Sequence, residues 1–206
     1  MPGTHSVLDE AAVLLGEQVE IWRRLVHPTI VLLAGGRPVE PAEVAAVSGV
    51  PLDQVDAALA TMADVEWDDE GRIVGMGLTQ RPTQHRMRIG DKTLYAWCAM
   101  DTLAFAAILD RRLTIESADH ASGEPIRIEV DGRRVLRAEP ASAVVSWWVK
   151  ASGEGVRDKL CNHGHFFTSR ESAAGWLADR PGGHVLSLDE AFAAGRRMAS
   201  EVLDES

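Results

Sequence analysis

The apolar positions in the first third of the chain repeat with helical spacing in three segments, and two short strand-like segments follow them. The helical segments are residues 19–33, 41–47 and 52–62. The strand-like segments are residues 65–67 and 72–76. Pro28 is expected to kink the first helix, and the Asp- and Gly-containing stretch 68–71 is typical of a hairpin turn. Three helices followed by a hairpin predict a winged helix-turn-helix.

The remainder of the chain mixes short strand patterns with short helix patterns. The predicted strands are residues 77–79, 85–89, 93–97, 113–117, 126–130 and 143–149. The predicted helices are residues 98–109, 157–161, 171–177 and 188–201. The pattern therefore predicts an α+β protein. We place a winged-helix-like domain at residues 1–80 and a mixed α/β core domain with short antiparallel strands at residues 81–206.

The negative net charge of the chain argues against polyanionic binding partners. The net charge is −10 over 206 residues, which disfavours nucleic acid and anionic membrane surfaces. The second helix of the predicted winged helix and the residues just after it, 52–64, carry three aspartates and no lysine or arginine. A recognition helix needs cations near phosphates, so a structural module is favoured over a DNA-binding one. No apolar run reaches the ~18 residues that span a bilayer, and a cytoplasmic protein is expected.

The chain contains two cysteines, Cys98 and Cys161. Two cysteines exclude a disulfide framework, and in a reducing compartment both are expected to be free thiols. A free cysteine is often only a small buried hydrophobic residue, so the thiols could be structural or chemical.

Cys98 stands where the pattern changes from strand to helix. At a helix start the macrodipole is expected to lower the pKa of a thiol. Asp101 lies three residues further on, where its carboxyl can approach the sulfur or can simply be a favourable acid in the first turn. Apolar neighbours favour the first alternative because they raise a carboxyl pKa and suit it to carry a proton. These neighbours are Tyr95, Trp97, Met100, Leu103 and Phe105.

Cys161 is followed closely by two histidines, His163 and His165. The spacing suggests zinc, but a structural zinc site needs four ligands and Cys98 is remote in sequence. A structural role for both histidines is the simpler interpretation. Two thiols and a carboxyl, without a phosphate loop or a Ser-His-Asp pattern, favour chemistry on a soft metal.

Two motifs carry a specific resemblance. Residues 94–103, LYAWCAMDTL, and residues 161–167, CNHGHFF, resemble the two catalytic motifs of the organomercurial (alkylmercury) lyases. Further similarity at residues 36–39, 71–79 and 190–192 extends the resemblance over about residues 33–195.

The resemblance implies a cofactor-free lyase that converts R–Hg–X to R–H and Hg(II). It implies that Cys98 is the first thiolate on mercury, Cys161 the second, and Asp101 the proton shuttle and a further contact of the metal. Low-molecular-weight thiols, with mercuric reductase as a further candidate, would then take the Hg(II) product. The alternative from the residues alone is a non-catalytic module that binds or senses a soft metal such as Hg, Cu or Zn.

Two departures from the family pattern concern extra cysteines that many members carry. This chain has Asn162 beside the second motif and Asp119-His120 in mid-domain. Neither extra thiol looks catalytic in the family, so the departures bear on the hand-off of Hg(II) and not on the reaction.

Overall fold

The computed structural model describes residues 22–203. A π-helical turn, Trp22–Val26, leads directly into α1 (His27–Leu33). The first residues of the predicted helix 19–33 lie outside the described part. Pro28 occupies the first turn of α1, where its missing N–H costs no helical hydrogen bond, so the change from π to α winding falls at this point.

The winged helix-turn-helix order is confirmed by α2 (Pro41–Ser48), α3 (Leu52–Thr61), β1 (Glu66–Trp67) and β2 (Ile73–Met76). A reciprocal capping box with Glu43 opens α2, and Gly49 ends it with a left-handed φ of 69°. The buried side chains of α3 are apolar and one helical turn apart, so this helix packs through a single face.

An eight-stranded antiparallel sheet forms the centre of the molecule, in the order β1-β2-β3-β5-β4-β6-β7-β8. Its further strands are β3 (Leu78–Thr79), β4 (His85–Ile89), β5 (Lys92–Ala96), β6 (Leu113–Ala118), β7 (Pro125–Val130) and β8 (Val135–Glu139). Strand β3 pairs with both β2 and β5, so the hairpin of the winged helix continues into the core sheet. The division at residue 80 stays a prediction, since one sheet crosses it.

A second antiparallel sheet has the order β10-β9-β11. Its strands are β9 (Val144–Trp147), β10 (Phe166–Phe167) and β11 (His184–Ser187). The remaining helices are α4 (Ala99–Ile108), α5 (Gly155–Lys159), α6 (Ala174–Ala178) and α7 (Leu188–Leu203). Helix α4 is buried along most of its length, as its apolar sequence requires, and it packs against α7.

Three strands were not predicted: β8, β10 and β11. Strand β8 is a half-exposed edge strand, and β10 has two residues, so neither shows a clear alternation. The bounds of other elements also differ from the prediction, because β9 is shorter than 143–149 and α6 begins later than 171. Within residues 22–203, no helix is long and apolar enough to cross a membrane.

Candidate active site

Strand β5 and helix α4 place the first thiol. Cys98 is the N-cap of α4, with extended backbone, and its Sγ accepts a hydrogen bond from the backbone N–H of Asp101 at 3.3 Å. The side chain is 1% exposed. The predicted helix start is therefore confirmed, and the thiol lies against the unpaired N–H groups of the first turn.

The second thiol, that of Cys161, lies on a separate element. Helix α5 leads to a 3-10 turn, Cys161–His163, and then to Gly164. The carbonyl of Gly164 accepts the N–H of Ala99 at 3.0 Å, which joins this turn to the start of α4. A Cβ at Gly164 would lie 3.2 Å from the Cβ of Cys98 and 3.4 Å from its Sγ. The absence of a side chain at Gly164 thus permits the close approach of the two motifs.

The fold brings the three sequence-predicted residues together. The Sγ atoms of Cys98 and Cys161 and a carboxylate oxygen of Asp101 all lie within 4.8 Å of one another. Both cysteines are free and buried. Two sulfurs and one oxygen at this spacing can contact a single soft metal ion.

The predicted low thiol pKa is wrong. Burial raises the pKa of Cys98 above its ordinary value, and the hydrogen bonds that its sulfur receives offset this only in part. The pKa of Cys161 is raised well above the ordinary value, first by its hydrogen bond with Cys98 and then by burial. The loss of hydration on burial raises the thiol pKa by more than the field at the helix start lowers it, so both cysteines are neutral thiols in the resting protein.

The predicted rise in the pKa of Asp101 is confirmed. Burial raises this pKa to about 6, although hydrogen bonds with the two thiols and the charge of Arg157 act in the opposite direction. Its Oδ2 atom is buried and has no hydrogen-bond partner among the residues that the structure describes. A carboxyl of this kind can both hold and release a proton near neutral pH.

A largely buried acid from the winged-helix hairpin contacts both the residue that precedes Cys98 and the helix that precedes Cys161. The carboxylate of Glu66 accepts hydrogen bonds from Arg157 Nη1 at 2.6 Å and from Trp97 Nε1 at 3.2 Å. The guanidinium of Arg157 also lies 4.4 Å from the centre of the Trp97 ring. The glutamate side chain is only 10% exposed, whereas the Arg157 side chain is 39% exposed, so only the acid side of this ion pair is shielded from solvent. It links the N-terminal module to the helix that precedes Cys161.

His163 and His165 do not belong to the thiol cluster. The ring of His163 meets the Trp148 ring edge-on at 4.9 Å, and the ring of His165 stacks on His120 at 3.7 Å. Burial lowers the pKa of His165 to about 3, so its ring is neutral. Both rings pack against aromatic neighbours, but His163 Nε2 and His165 Nδ1 are buried without a hydrogen-bond partner among the described residues, so the structural role of these histidines stays a prediction.

Comparison with known proteins identifies the family. The model of the family "Alkylmercury lyase" matches residues 78–200, and the model "Helix-turn-helix domain of alkylmercury lyase" matches residues 12–77. The chain belongs to the alkylmercury lyase family. Its helix-turn-helix segment is thus a recurrent part of alkylmercury lyases.

Similarity to individual alkylmercury lyases extends over most of the chain. The alkylmercury lyase of Bacillus cereus is 42% identical over 185 residues, which cover 90% of this chain and 85% of that protein. The enzyme of Pseudomonas putida is 34% identical over 191 residues, which cover 93% and 90%. A crystal structure of the mercury-bound form of MerB2 aligns with a TM-score of 0.76 and 26% identity, covering 96% of this chain and 99% of that one.

The sequence reasoning missed four residues around the site of this alkylmercury lyase: Asp64, Glu66, Arg157 and Gly164. The glycine lies inside the second motif but had no assigned role, and nothing in its spacing shows that it faces Cys98. A glutamate within a short apolar strand was the one available signal, because a buried acid requires a partner.

Proposed function

We propose that this organomercurial lyase breaks the carbon–mercury bond by protonolysis, with two thiolates on mercury and Asp101 as the proton shuttle. The observation that carries the proposal is the convergence of Cys98, Cys161 and a carboxyl of raised pKa within 4.8 Å. The reaction uses no resident cofactor, because mercury enters as the substrate and leaves as the product.

The thiols act first. Both are neutral, so each must lose a proton as its sulfur bonds to mercury. The balanced reaction is R–Hg–X plus two thiols giving R–H, a mercury ion bound by two thiolates, one proton and X⁻. Each thiolate donates electron density to mercury, which weakens the Hg–C bond and builds negative charge on carbon.

Asp101 carries the proton between sulfur and carbon. Its pKa of about 6 lets the carboxylate take a proton from a thiol whose sulfur is bonding to mercury. The carboxylic acid then protonates the carbon as the Hg–C bond breaks. The unpartnered Oδ2 atom is available for this exchange within the described structure.

The product is Hg(II) held by the two sulfurs, with a carboxylate oxygen of Asp101 as a third contact. The similar MerB2 structure is a mercury-bound form, which supports a mercury-bound product in this chain as well. Low-molecular-weight thiols would release Hg(II) by exchange, either to solution or to mercuric reductase. Because position 162 is Asn and not Cys, no neighbouring thiol at this position can take the Hg(II), and its release depends more on external thiols.

The N-terminal module, proposed as residues 1–80, serves the site and not DNA. Its hairpin contributes Glu66 to the ion pair with Arg157, beside the thiol-bearing segment. Its second helix has an aspartate in the first turn and no basic residue in the last. The catalytic core is proposed as residues 81–206.

Phenylmercuric acetate provides the direct test. Headspace gas chromatography would measure benzene in the presence of excess small thiol, which strips Hg(II) and allows turnover. Wild type should release many equivalents. The variants Cys98→Ser, Cys161→Ser and Asp101→Asn should release little, and Asp101→Asn should still bind mercury because both sulfurs remain.

The same experiment separates a lyase from a soft-metal binding module. A binding module needs the thiols but not the acid. Unchanged turnover in Asp101→Asn would therefore overturn the shuttle. No benzene above the thiol-only background, from a folded wild-type protein that retains mercury, would instead support binding without catalysis.

A further inference from the structure

We propose that Asp64 is a positioning residue for the second thiol: its carboxylate fixes the start of helix α5 and so holds Cys161 beside Cys98. The inference rests on the proposed function for the role of that thiol. Asp64 lies outside the cluster of Cys98, Asp101 and Cys161 and acts mainly through the backbone of α5, while its negative charge also contributes to the raised pKa of Cys161.

The contact is specific and crosses between distant parts of the chain. The two carboxylate oxygens of Asp64 accept the backbone N–H groups of Val156 at 2.5 Å and Arg157 at 3.2 Å. Asp64 lies in the turn between α3 and β1, whereas the two donors lie in the first turn of α5. One half-buried acid of the N-terminal module thus satisfies two N–H groups that a helix start leaves unpaired.

Helix α5 has no cap of its own. Its N-cap residue, Glu154, makes no side-chain hydrogen bond to the helix, so Asp64 takes the place of a local capping residue. Gly155 has a left-handed φ of 70°, and a Cβ there would overlap the Asp64 carboxylate. The backbone of α5 is therefore shaped to admit this acid.

Contacts other than that of Asp64 act mainly at the far end of the segment, where the N–H of Lys150 donates to the carbonyl of Lys159 at 2.9 Å and the carbonyl of Gly164 accepts the N–H of Ala99 at 3.0 Å. Helix α5 has five residues and no buried side chain. The ion pair of Lys150 with Asp158, at 3.3 Å, joins two side chains that are 39% and 42% exposed, and such pairs contribute little. The Glu66 bond holds the Arg157 side chain but not the α5 backbone. Asp64 thus holds the start of α5, and its removal should increase the frequency with which the backbone before Cys161 opens locally.

Selective labelling of the thiols tests this directly. Cys98 and Cys161 are 1% and 3% exposed, so iodoacetamide reaches either sulfur only after local opening. The labelling rate at each cysteine would be measured by peptide mass spectrometry on the full chain without mercury. Loss of two hydrogen bonds to a carboxylate should raise the Cys161 rate in Asp64→Ala about tenfold, with a smaller rise at Cys98.

A conservative variant and a matched control complete the design. Asp64→Asn keeps one acceptor oxygen but loses the same negative charge as Asp64→Ala, a charge that contributes to the raised pKa of Cys161. Its Cys161 rate should therefore be intermediate, and a rate equal to that of Asp64→Ala would show that the lost charge, and not the lost hydrogen bonds, causes the acceleration. Asp131 also accepts two backbone N–H groups, from Arg133 and Arg134, but in the turn between β7 and β8. Asp131→Ala should therefore leave both labelling rates as in wild type.

Two results would overturn the inference. The first is a Cys161 rate in Asp64→Ala within about twofold of wild type, since two lost hydrogen bonds should have a larger effect. The second is equal acceleration of both cysteines together with a lower unfolding midpoint, which would show only general loosening. If Asp64→Ala does not fold, the same comparison applies to Asp64→Asn. Labelling needs no turnover, so failure here is distinct from failure of the lyase assay.

Discussion

Replacing Gly164 with alanine would test how closely the reaction depends on the spacing of the two thiols. The backbone at this position, φ −90° and ψ 105°, is open to any residue, so alanine introduces no backbone strain. The added methyl group would lie 3.2 Å from the Cβ of Cys98, whereas carbon atoms in contact prefer about 3.5–4.0 Å. The Cys98 side chain or the Gly164 turn must therefore move by a few tenths of an ångström.

This displacement should reduce turnover more than stability. Overpacking of this size costs about 1–2 kcal/mol. A misplacement of about 0.5 Å at a reacting group is expected to lower kcat about tenfold, since 1 Å can cost about a hundredfold. Benzene release from phenylmercuric acetate would give kcat, and thermal denaturation would give the stability of the same preparation.

Gly175→Ala is the matched control for this variant. Gly175 is exposed in α6, and a Cβ there would meet nothing within 4 Å. This change should leave kcat unaltered and raise stability by up to about 1 kcal/mol through helix propensity. Wild-type kcat in Gly164→Ala, together with wild-type stability, would refute the argument that this glycine sets the thiol spacing.

Two further predictions concern stability. Burial lowers the pKa of His85 from 6.5 to about 4, so the unfolded chain takes up a proton at a higher pH than the folded one. This difference lowers the free energy of unfolding of wild type as the pH falls from 6.5 to 4. In His85→Gln, urea titration at each pH should show a decline about 3 kcal/mol smaller than in wild type over this range. Equal declines in the two proteins would contradict this prediction. Gly195→Val should lower the free energy of unfolding, measured by thermal denaturation, by about 2–3 kcal/mol, because a Cβ at Gly195 would already lie 3.2 Å from the Cα of Ala104. An unchanged melting temperature would show that α4 and α7 can move apart without loss of stability.

Much of the fold was predictable because local pattern carries the information. The periodicity of residues 41–47 and 52–62 and the hairpin after them predicted the winged helix-turn-helix, and the helix starting at Cys98 was placed correctly. Strand β10 escaped prediction because a two-residue strand is defined by its partner β9 and not by its own alternation. The site residues came from the two cysteine motifs, whose resemblance to a family is a property of sequence.

The sequence by itself determined most of the helices and strands, the two lone thiols and the acid one helical turn from the first of them. Only the tertiary structure decided that Cys161 meets Cys98, because the contact depends on a glycine that admits a second loop. Burial also reversed the expected thiol pKa, since desolvation is a property of the packed molecule and outweighs the field of one helix. The contacts of Asp64 and Glu66 with α5 also came from the tertiary structure alone, because they join residues that are far apart in the sequence.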